Sequence, residues 1–264
     1  MKLKKSTLFY YSLAEMPINI ALFPILVFIP KFYTGEMGVP LALAANIILA
    51  VRIFDVFTDP VVGYINDRTN TKWGRRRPWI AIATPLLMVS IYMLFIPPEG
   101  AGALHLFLWM FLLSIGTTML IIPYYAWGAE LSPDYNERSR ITGWRSISGV
   151  VGSLSAQLIP TVALVFFGLG GSTNVLYIVG IASVIILPIC VFLTVLKVPE
   201  SKDYVQSNIS PIKGFKIMLE NSPFKRLIMA FMFGGIAFSI TIPLYLFFIA
   251  YVLKAEEMAI FMLT

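Results

Sequence analysis

The sequence predicts an all-α membrane protein that crosses the bilayer several times. Hydrophobic residues make up 58% of its 264 residues and only 13% are charged, a balance that soluble domains do not need and that several spanning helices do. The apolar residues come in runs of about 20 or more, the length that crosses a hydrocarbon core of roughly 30 Å. The formal charge of +6 comes mostly from Lys and Arg in the short segments between these runs. That pattern is typical of cytoplasmic loops and argues against nucleic acid as a partner.

Six apolar runs precede a polar segment, and a seventh run follows it. The predicted spans are residues 8–33, 41–65, 78–98, 104–128, 142–168 and 174–196, and then 225–253. The prolines, serines and charges of the segment between them predict a connecting loop or a surface helix. We therefore predict a six-helix bundle in residues 1–196, a central cytoplasmic loop in 197–224 and the start of a second bundle in 225–264. Because the last residues look like the opening turns of an eighth span, we expect the sequence to be truncated.

The distribution of positive charge predicts the orientation of these spans. With the N-terminus in the cytoplasm, all but four of the 20 Lys and Arg residues fall on the cytoplasmic side. The exceptions are Lys31, Arg52, Arg145 and Lys254. Since Lys and Arg are enriched in cytoplasmic loops, we predict a multi-pass protein of the cell (inner) membrane with a cytoplasmic N-terminus.

Three charged residues interrupt the second apolar run. Arg52, Asp55 and Asp59 are spaced i, i+3 and i+7, so they fall on one face of a helix. A charge at membrane depth costs at least ~2.5 kcal/mol, and such residues normally face the inside of a bundle and mark an ion or substrate pathway. Two carboxylates one turn apart, together with a hydroxyl such as that of Thr58 and a threonine of another helix, can bind Na⁺ or accept a proton.

An ion site of this kind is typical of a cation-coupled transporter, but two other classes of protein use the same residue types. A pair of aspartates can hold Mg²⁺ and a diphosphate in a membrane-embedded transferase, although the later spans contain no second aspartate-rich motif. The other class is a non-transporting sensor or partner protein, and a sensor would bind a substrate without moving it. A flux assay in proteoliposomes with cation gradients separates a transporter from both.

The segment after the second run carries charges of both signs. These residues are Asp67, Arg68, Arg75, Arg76 and Arg77. A short loop of this kind is either a solvated cytoplasmic turn or a cytoplasmic gate, whose charges pair and release during alternating access.

Polar residues also occur in the first and fifth spans. Glu15 and Asn19 are spaced i and i+4 and share a helix face. Glu15 is either solvated near the membrane boundary or the partner of Arg145 or Arg52. Arg145 itself is either an interfacial arginine or a functional residue, and the small residues after it are suited to close helix packing.

The second run and the loop after it resemble a motif of a known family. The segments Asp55-Val-Phe-Thr-Asp59-Pro60-Val-Val-Gly63, Asn66-Asp67-Arg68-Thr69 and Trp73-Gly74-Arg75-Arg76-Arg77-Pro78-Trp79 resemble the signature of the glycoside-pentoside-hexuronide:cation symporters, the melibiose-carrier branch of the major facilitator superfamily. Residues 128–138 are similar to the loop after that family's fourth helix. The resemblance implies twelve helices in two halves. This chain would then be the N-terminal six-helix bundle, the central loop and the first one to two helices of the C-terminal bundle.

The resemblance also implies a cation site. Asp55, Asp59, Thr58 and Thr118 stand where the family binds its coupling cation, which is Na⁺, H⁺ or Li⁺. In a sodium-coupled member the two aspartates would be the metal ligands.

The implied substrate site differs from that of the melibiose carriers. Arg145 matches the family's fifth-helix arginine, but Tyr125 replaces a stacking tryptophan. Asn19 and Ile121 replace two sugar-binding aspartates. Because those carboxylates would accept hydrogen bonds from sugar hydroxyls, their loss argues against a melibiose-like galactoside.

These observations together predict a secondary active transporter and not an enzyme. We expect Na⁺-coupled or H⁺-coupled symport of a sugar or glycoside by alternating access, with no cofactor apart from the coupling ion. The partners would be a small-molecule substrate, the cation and the lipid bilayer. A non-sugar substrate such as a lysolipid remains an alternative, since some relatives carry lysolipids.

Overall fold

The computed structural model describes residues 2–168, 172–200, 211–247 and 252, and the named elements within them are all α-helices. The helices are α1 (Lys5–Ser12), α2 (Glu15–Gly35), α3 (Leu41–Arg68), α4 (Arg77–Phe95), α5 (Ala103–Glu130), α6 (Tyr135–Phe167), α7 (Ser172–Lys197), α8 (Pro211–Glu220) and α9 (Ser222–Phe247). Helices α1 to α7 belong to one compact unit, and α8 and α9 belong to a second. The predicted all-α fold class is confirmed.

Helices α3 to α7 are each long and apolar enough to cross a membrane. They coincide with the second to sixth predicted spans, but α6 begins at Tyr135, earlier than the predicted residue 142. The reason is a side-chain cap, because Asp134 accepts a hydrogen bond from the backbone N–H of Glu137 at 3.0 Å.

The first predicted span consists of two helices. α1 ends at Ser12 and α2 begins at Glu15, with one tight turn between them in which the Met16 N–H donates to the Leu13 carbonyl at 3.3 Å. Pro17 explains the break, since its ring lacks an N–H and crowds the carbonyl four residues earlier, which is that of Leu13. The turn places Glu15 in the first turn of α2.

The core of the first unit lies between α2, α4, α5, α6 and α7, with α3 packed on α5. Small residues allow the closest approaches, as the sequence of α6 predicts. A Cβ at Gly152 would overlap the backbone carbonyl of Met16, so α2 and α6 approach each other at this glycine.

Two buried tyrosines join α1 to α5. The Tyr11 hydroxyl donates to the Tyr124 carbonyl at 3.0 Å, and the Tyr124 hydroxyl donates to the Tyr11 carbonyl at 2.8 Å. Their rings stack with centroids 4.7 Å apart. Gly128 leaves the space that the Tyr11 hydroxyl fills, because any Cβ there would overlap it.

The second unit contains α8 and α9. α8 lies inside the segment predicted as a loop or surface helix, and α9 covers most of the seventh predicted span. Asn221 separates them, and its side chain caps α9 by accepting from the Phe224 N–H at 3.1 Å. Residues 201–210, residues 248–251 and 253 of the seventh predicted span, and the predicted eighth span lie outside the described residues. The three-part domain division stays a prediction.

Candidate functional site

Two carboxylates of α3 face two hydroxyls of α5. The Ser114 hydroxyl donates to Oδ1 of Asp55, and the Thr118 hydroxyl donates to Oδ1 of Asp59 at 2.8 Å. Both pairs join residues 59 positions apart. One pair therefore lies a helical turn beyond the other on both helices, so α3 and α5 run side by side in the same direction.

Arg52 completes the polar face of α3. Its Nη1 lies 3.3 Å from Oδ2 of Asp55, one turn away on the same helix. The Arg52 side chain is 60% exposed, so this ion pair is weakly stabilising. For Asp59, no ion pair is found in the described part of the chain.

Asp55 and Asp59 line a cavity of about 180 Å³. The other polar lining residues are Arg52, Ser114, Thr117 and Thr118, and α2 contributes Leu22 and Ile25. A water molecule takes about 30 Å³ in the liquid, so the cavity has room for an ion and several of its waters. Carboxylate and hydroxyl oxygens are the hard ligands that such an ion prefers. Among the described residues, no group of three or more His, Cys, Asp or Glu side chains forms a metal cluster.

The structure brings together three of the four residues predicted for the cation. Asp55, Asp59 and Thr118 line the cavity. Thr58 does not line it, because its hydroxyl donates to the Phe54 carbonyl of its own helix at 3.2 Å. Ser114, which the sequence analysis did not single out, takes the position next to Asp55.

A second polar cluster joins α2, α5 and α6. The Tyr125 hydroxyl donates to Oε1 of Glu15 at 3.0 Å, and Nε of Arg145 lies 4.0 Å from Oε2. The Arg145 guanidinium also stacks on the Tyr125 ring, 3.9 Å from its centroid. Of the partners considered for Glu15, the structure therefore selects Arg145, while Arg52 pairs with Asp55.

The residues predicted for the substrate site lie in different places. Tyr125 and Arg145 are in contact, and Ile121 lines the cavity one turn before Tyr125 on α5. Asn19 instead donates to the backbone carbonyl of Glu15 at 2.9 Å and lies close to Gly149 of α6.

The loop between α3 and α4 forms a third cluster, which we call the loop clasp. Glu130 at the end of α5 accepts from Arg75 at 2.5 Å and from Arg76 at 2.6 Å. Arg76 also pairs with Asp67 at 2.8 Å and donates to the side chain of Asn66. Burial by itself lowers the pKa of Arg76, but the hydrogen bonds to Glu130 and Asp67 outweigh it, so the pKa is raised and the guanidinium stays charged.

Glu200 ties the residues after α7 to the same loop. Its Oε1 accepts from the backbone N–H groups of Arg75 and Arg76 at 2.6 and 2.8 Å. Gly74 makes this approach possible, since its φ of +113° is left-handed and a Cβ there would overlap the Glu200 carboxylate. Arg77 adds a hydrogen bond to the Val198 carbonyl at 2.6 Å.

Four of the five residues predicted for a gate therefore converge in the loop clasp. They are Asp67, Arg75, Arg76 and Arg77, with Asn66, Glu130 and Glu200 as partners that the sequence analysis did not assign. Arg68 lies apart, with its guanidinium 4.2 Å from the centroid of the Tyr64 ring one turn earlier on α3.

Comparison with known proteins gives a family match over nearly the whole chain. The model of the family described as MFS/sugar transport protein matches residues 10–264. The isoprimeverose transporter of Lactiplantibacillus pentosus is 29% identical over 228 residues, which are 81% of this chain and 46% of that protein. The putative glycoside/cation symporter YagG of Escherichia coli (strain K12) is 27% identical over 86% of this chain and 50% of its own length.

A mammalian relative has a different kind of substrate in its name. The sodium-dependent lysophosphatidylcholine symporter 1 of Mus musculus is 27% identical over 86% of this chain and 49% of that protein. This chain spans about half the length of the curated relatives it matches. With the helical bundle, the polar cavity and the family match taken together, the chain belongs to the MFS/sugar transport protein family, whose named members here are transporters and not enzymes.

Proposed function

We propose that this protein is a secondary active transporter that couples cation entry to the movement of a sugar or glycoside by alternating access. The observation that carries the proposal is the pair of carboxylate–hydroxyl contacts, Asp55 with Ser114 and Asp59 with Thr118, on the wall of one cavity. The family match and the relatives named as symporters support cation-coupled symport in general.

The cation would bind between α3 and α5. A bound Na⁺ or H⁺ offsets one of the negative charges of Asp55 and Asp59, and the arrangement with the cation bound has a higher affinity for the substrate. This difference in affinity is the coupling, and it must be reciprocal, so that the substrate also raises the affinity for the cation. One charge moving through about 100 mV supplies ~2.3 kcal/mol, enough for roughly fiftyfold accumulation.

The loop clasp would act as the gate at one end of the bundle. In the proposed orientation, with the N-terminus in the cytoplasm of a cell (inner) membrane, this end is cytoplasmic. The clasp pairs the loop after α3 with the end of α5 and with the residues after α7. Separation of these partners would open the cavity toward that side.

The substrate is proposed to be a sugar or glycoside, because relatives are named for isoprimeverose, glycoside and glucuronide transport. The alternative is a lysolipid, which the name of the mouse relative supports. Tyr125, Arg145 and Ile121 would contribute to its site, with Asn19 nearby on α2.

The test is Asp59→Asn in proteoliposomes, with uptake driven separately by a Na⁺ gradient and by a H⁺ gradient. We expect cation-stimulated uptake to be abolished, because the amide cannot carry the charge that the cation neutralises. Glu99→Gln, which changes an exposed loop residue in the same chemical way, should keep full uptake. Retained dependence on either cation in Asp59→Asn would contradict the proposed role.

A further inference from the structure

One buried carboxylate oxygen lacks a hydrogen bond. Glu15 is only 9% exposed, and Tyr125 satisfies its Oε1. Its Oε2 is fully buried and makes no hydrogen bond to any residue that the structure describes. Buried polar atoms are nearly always hydrogen-bonded, so an exception of this kind marks a place where a donor from outside the chain can bind.

The arginine beside this oxygen does not form a hydrogen bond with it. The contact between Nε of Arg145 and Oε2 is a single one of 4.0 Å, at the long limit for an ion pair. A bidentate arginine–carboxylate pair has two parallel hydrogen bonds at a much shorter distance. The Arg145 side chain is 22% exposed, and the Tyr125 ring holds the face of the guanidinium. A carboxylate oxygen without a hydrogen bond and an arginine side chain therefore lie side by side.

This arrangement matches a ligand that offers a donor and an acceptor on neighbouring atoms. Two adjacent hydroxyl groups do so, because one can donate to Oε2 of Glu15 while the other accepts from Arg145. A ligand with its own carboxylate or phosphate would compete with Glu15 for Arg145. It would leave the Glu15 charge buried and unpaired, which is strongly unfavourable.

The cluster lies next to the cavity that holds Asp55 and Asp59. Ile121 lines that cavity, and Tyr125 follows it by one turn on α5. Thr118, the hydroxyl partner of Asp59, precedes Tyr125 by seven residues, which corresponds to about 10 Å along the helix. A ligand bound at Glu15 and Arg145 is thus close enough to the cation site for its affinity to depend on whether a cation is bound there.

We propose that Glu15 is a specificity-determining residue, and that this site binds a neutral ligand with adjacent hydroxyl groups in preference to an anionic sugar or a phosphate-bearing lipid. The inference rests on the proposed function, because it names the substrate class of the same transporter. The inference depends on Glu15 of α2 and Arg145 of α6, whereas the proposed cation coupling depends on the two aspartates of α3.

The test compares two ligands that differ at one carbon atom. p-Nitrophenyl β-D-glucoside carries a hydroxymethyl group where p-nitrophenyl β-D-glucuronide carries a carboxylate. Their affinities are measured by calorimetry on the purified protein at saturating Na⁺ and without a gradient, with lysophosphatidylcholine as a third ligand. Because this measurement needs no transport, it remains readable if cation coupling fails in the uptake assay.

We expect the unmodified protein to bind the glucoside at least tenfold more tightly than the glucuronide. Glu15→Gln should reduce that ratio at least tenfold, because the uncharged amide no longer opposes the ligand carboxylate. Glu15→Asp keeps the charge and should retain the preference, which separates charge from packing. Glu99→Gln, in an exposed loop, should match the unmodified protein.

Several results would overturn the proposal. They are an equal or higher affinity for the glucuronide in the unmodified protein, binding of lysophosphatidylcholine alone, binding of none of the three ligands, or a ratio that is unchanged in Glu15→Gln. If Glu15→Gln does not fold, the Glu15→Asp ratio decides, since loss of the preference in that charged variant contradicts a role for the charge.

Discussion

Two of the regions in which arginines contact carboxylates, the middle of α3 and the loop clasp that follows it, differ in how their charged side chains are buried and paired. In the clasp, the Arg76 side chain is 4% exposed and contacts Glu130, Asp67 and Asn66. On α3, the Arg52 side chain is 60% exposed and has one carboxylate contact at 3.3 Å.

The difference bears on which carboxylate could bind a cation in the proposed mechanism. Glu130 forms ion pairs with two arginines at once, so its removal leaves buried positive charge behind. Asp59 is held by a neutral hydroxyl, and a cation can bind to it without displacing a positively charged side chain. The same residue types therefore form a buried ion-pair network in one region and, in the other, leave a carboxylate that has no ion pair among the described residues.

The largest expected effect comes from breaking the clasp with Glu130→Gln. Removing one partner of a buried ion pair costs ~3–5 kcal/mol, and here two arginines lose the same carboxylate. We expect the apparent melting temperature in detergent to fall by about 6 °C or more. Glu99→Gln is the matched control. An equal melting temperature for both variants would show that the loop clasp does not stabilise the fold.

Gly74→Ala is expected to have the next largest effect. The left-handed backbone and the overlap with Glu200 together should destabilise the protein by about 2 kcal/mol, measured as the free energy of unfolding in denaturant. Gly100→Ala separates the two causes, because Gly100 has a φ of +76° but nothing within 4 Å. If both substitutions cost the same, the contact with Glu200 contributes nothing.

Ser114→Ala tests the polar face of α3. It should change the affinity for the coupling cation rather than the free energy of unfolding. If the Ser114 oxygen beside Asp55 becomes a ligand of the coupling cation, its loss should cost about 1.5 kcal/mol, so the affinity for the cation should fall about tenfold in an equilibrium titration. Thr58→Ala should cost about threefold or less, because that hydroxyl donates to its own helix backbone. A larger loss for Thr58→Ala would favour the ligand set implied by family resemblance alone.

Much of the fold was predictable because it depends on local pattern. Apolar run length predicts α3 to α7, and spacing places Arg52, Asp55 and Asp59 on one face, where they line one cavity. Ser114 was missed although its signal was present. It stands four residues before Thr118, the same spacing that separates Asp55 from Asp59.

The partners in the loop clasp carried no local signal. Glu200 lies 125 residues from Arg75 in the sequence, and only the packing of α7 beside α4 brings it to the loop. The partner of Glu15 was also undecidable from spacing, because helical periodicity describes one helix and not its neighbour. The break between α1 and α2 depends on Pro17, inside a run that length alone predicts as continuous.

The buried tyrosine pair restricts how the first span can rearrange. Each tyrosine hydroxyl donates a hydrogen bond to the backbone of the opposite helix. Rotation of α1 about its own axis would therefore break the hydrogen bonds of both Tyr11 and Tyr124. The turn that follows α1 lies directly before Glu15. A hinge at that turn would change the distance from Glu15 to Tyr125 while α5 stays in place, which makes a spectroscopic ruler between these two positions a direct readout of the conformational cycle.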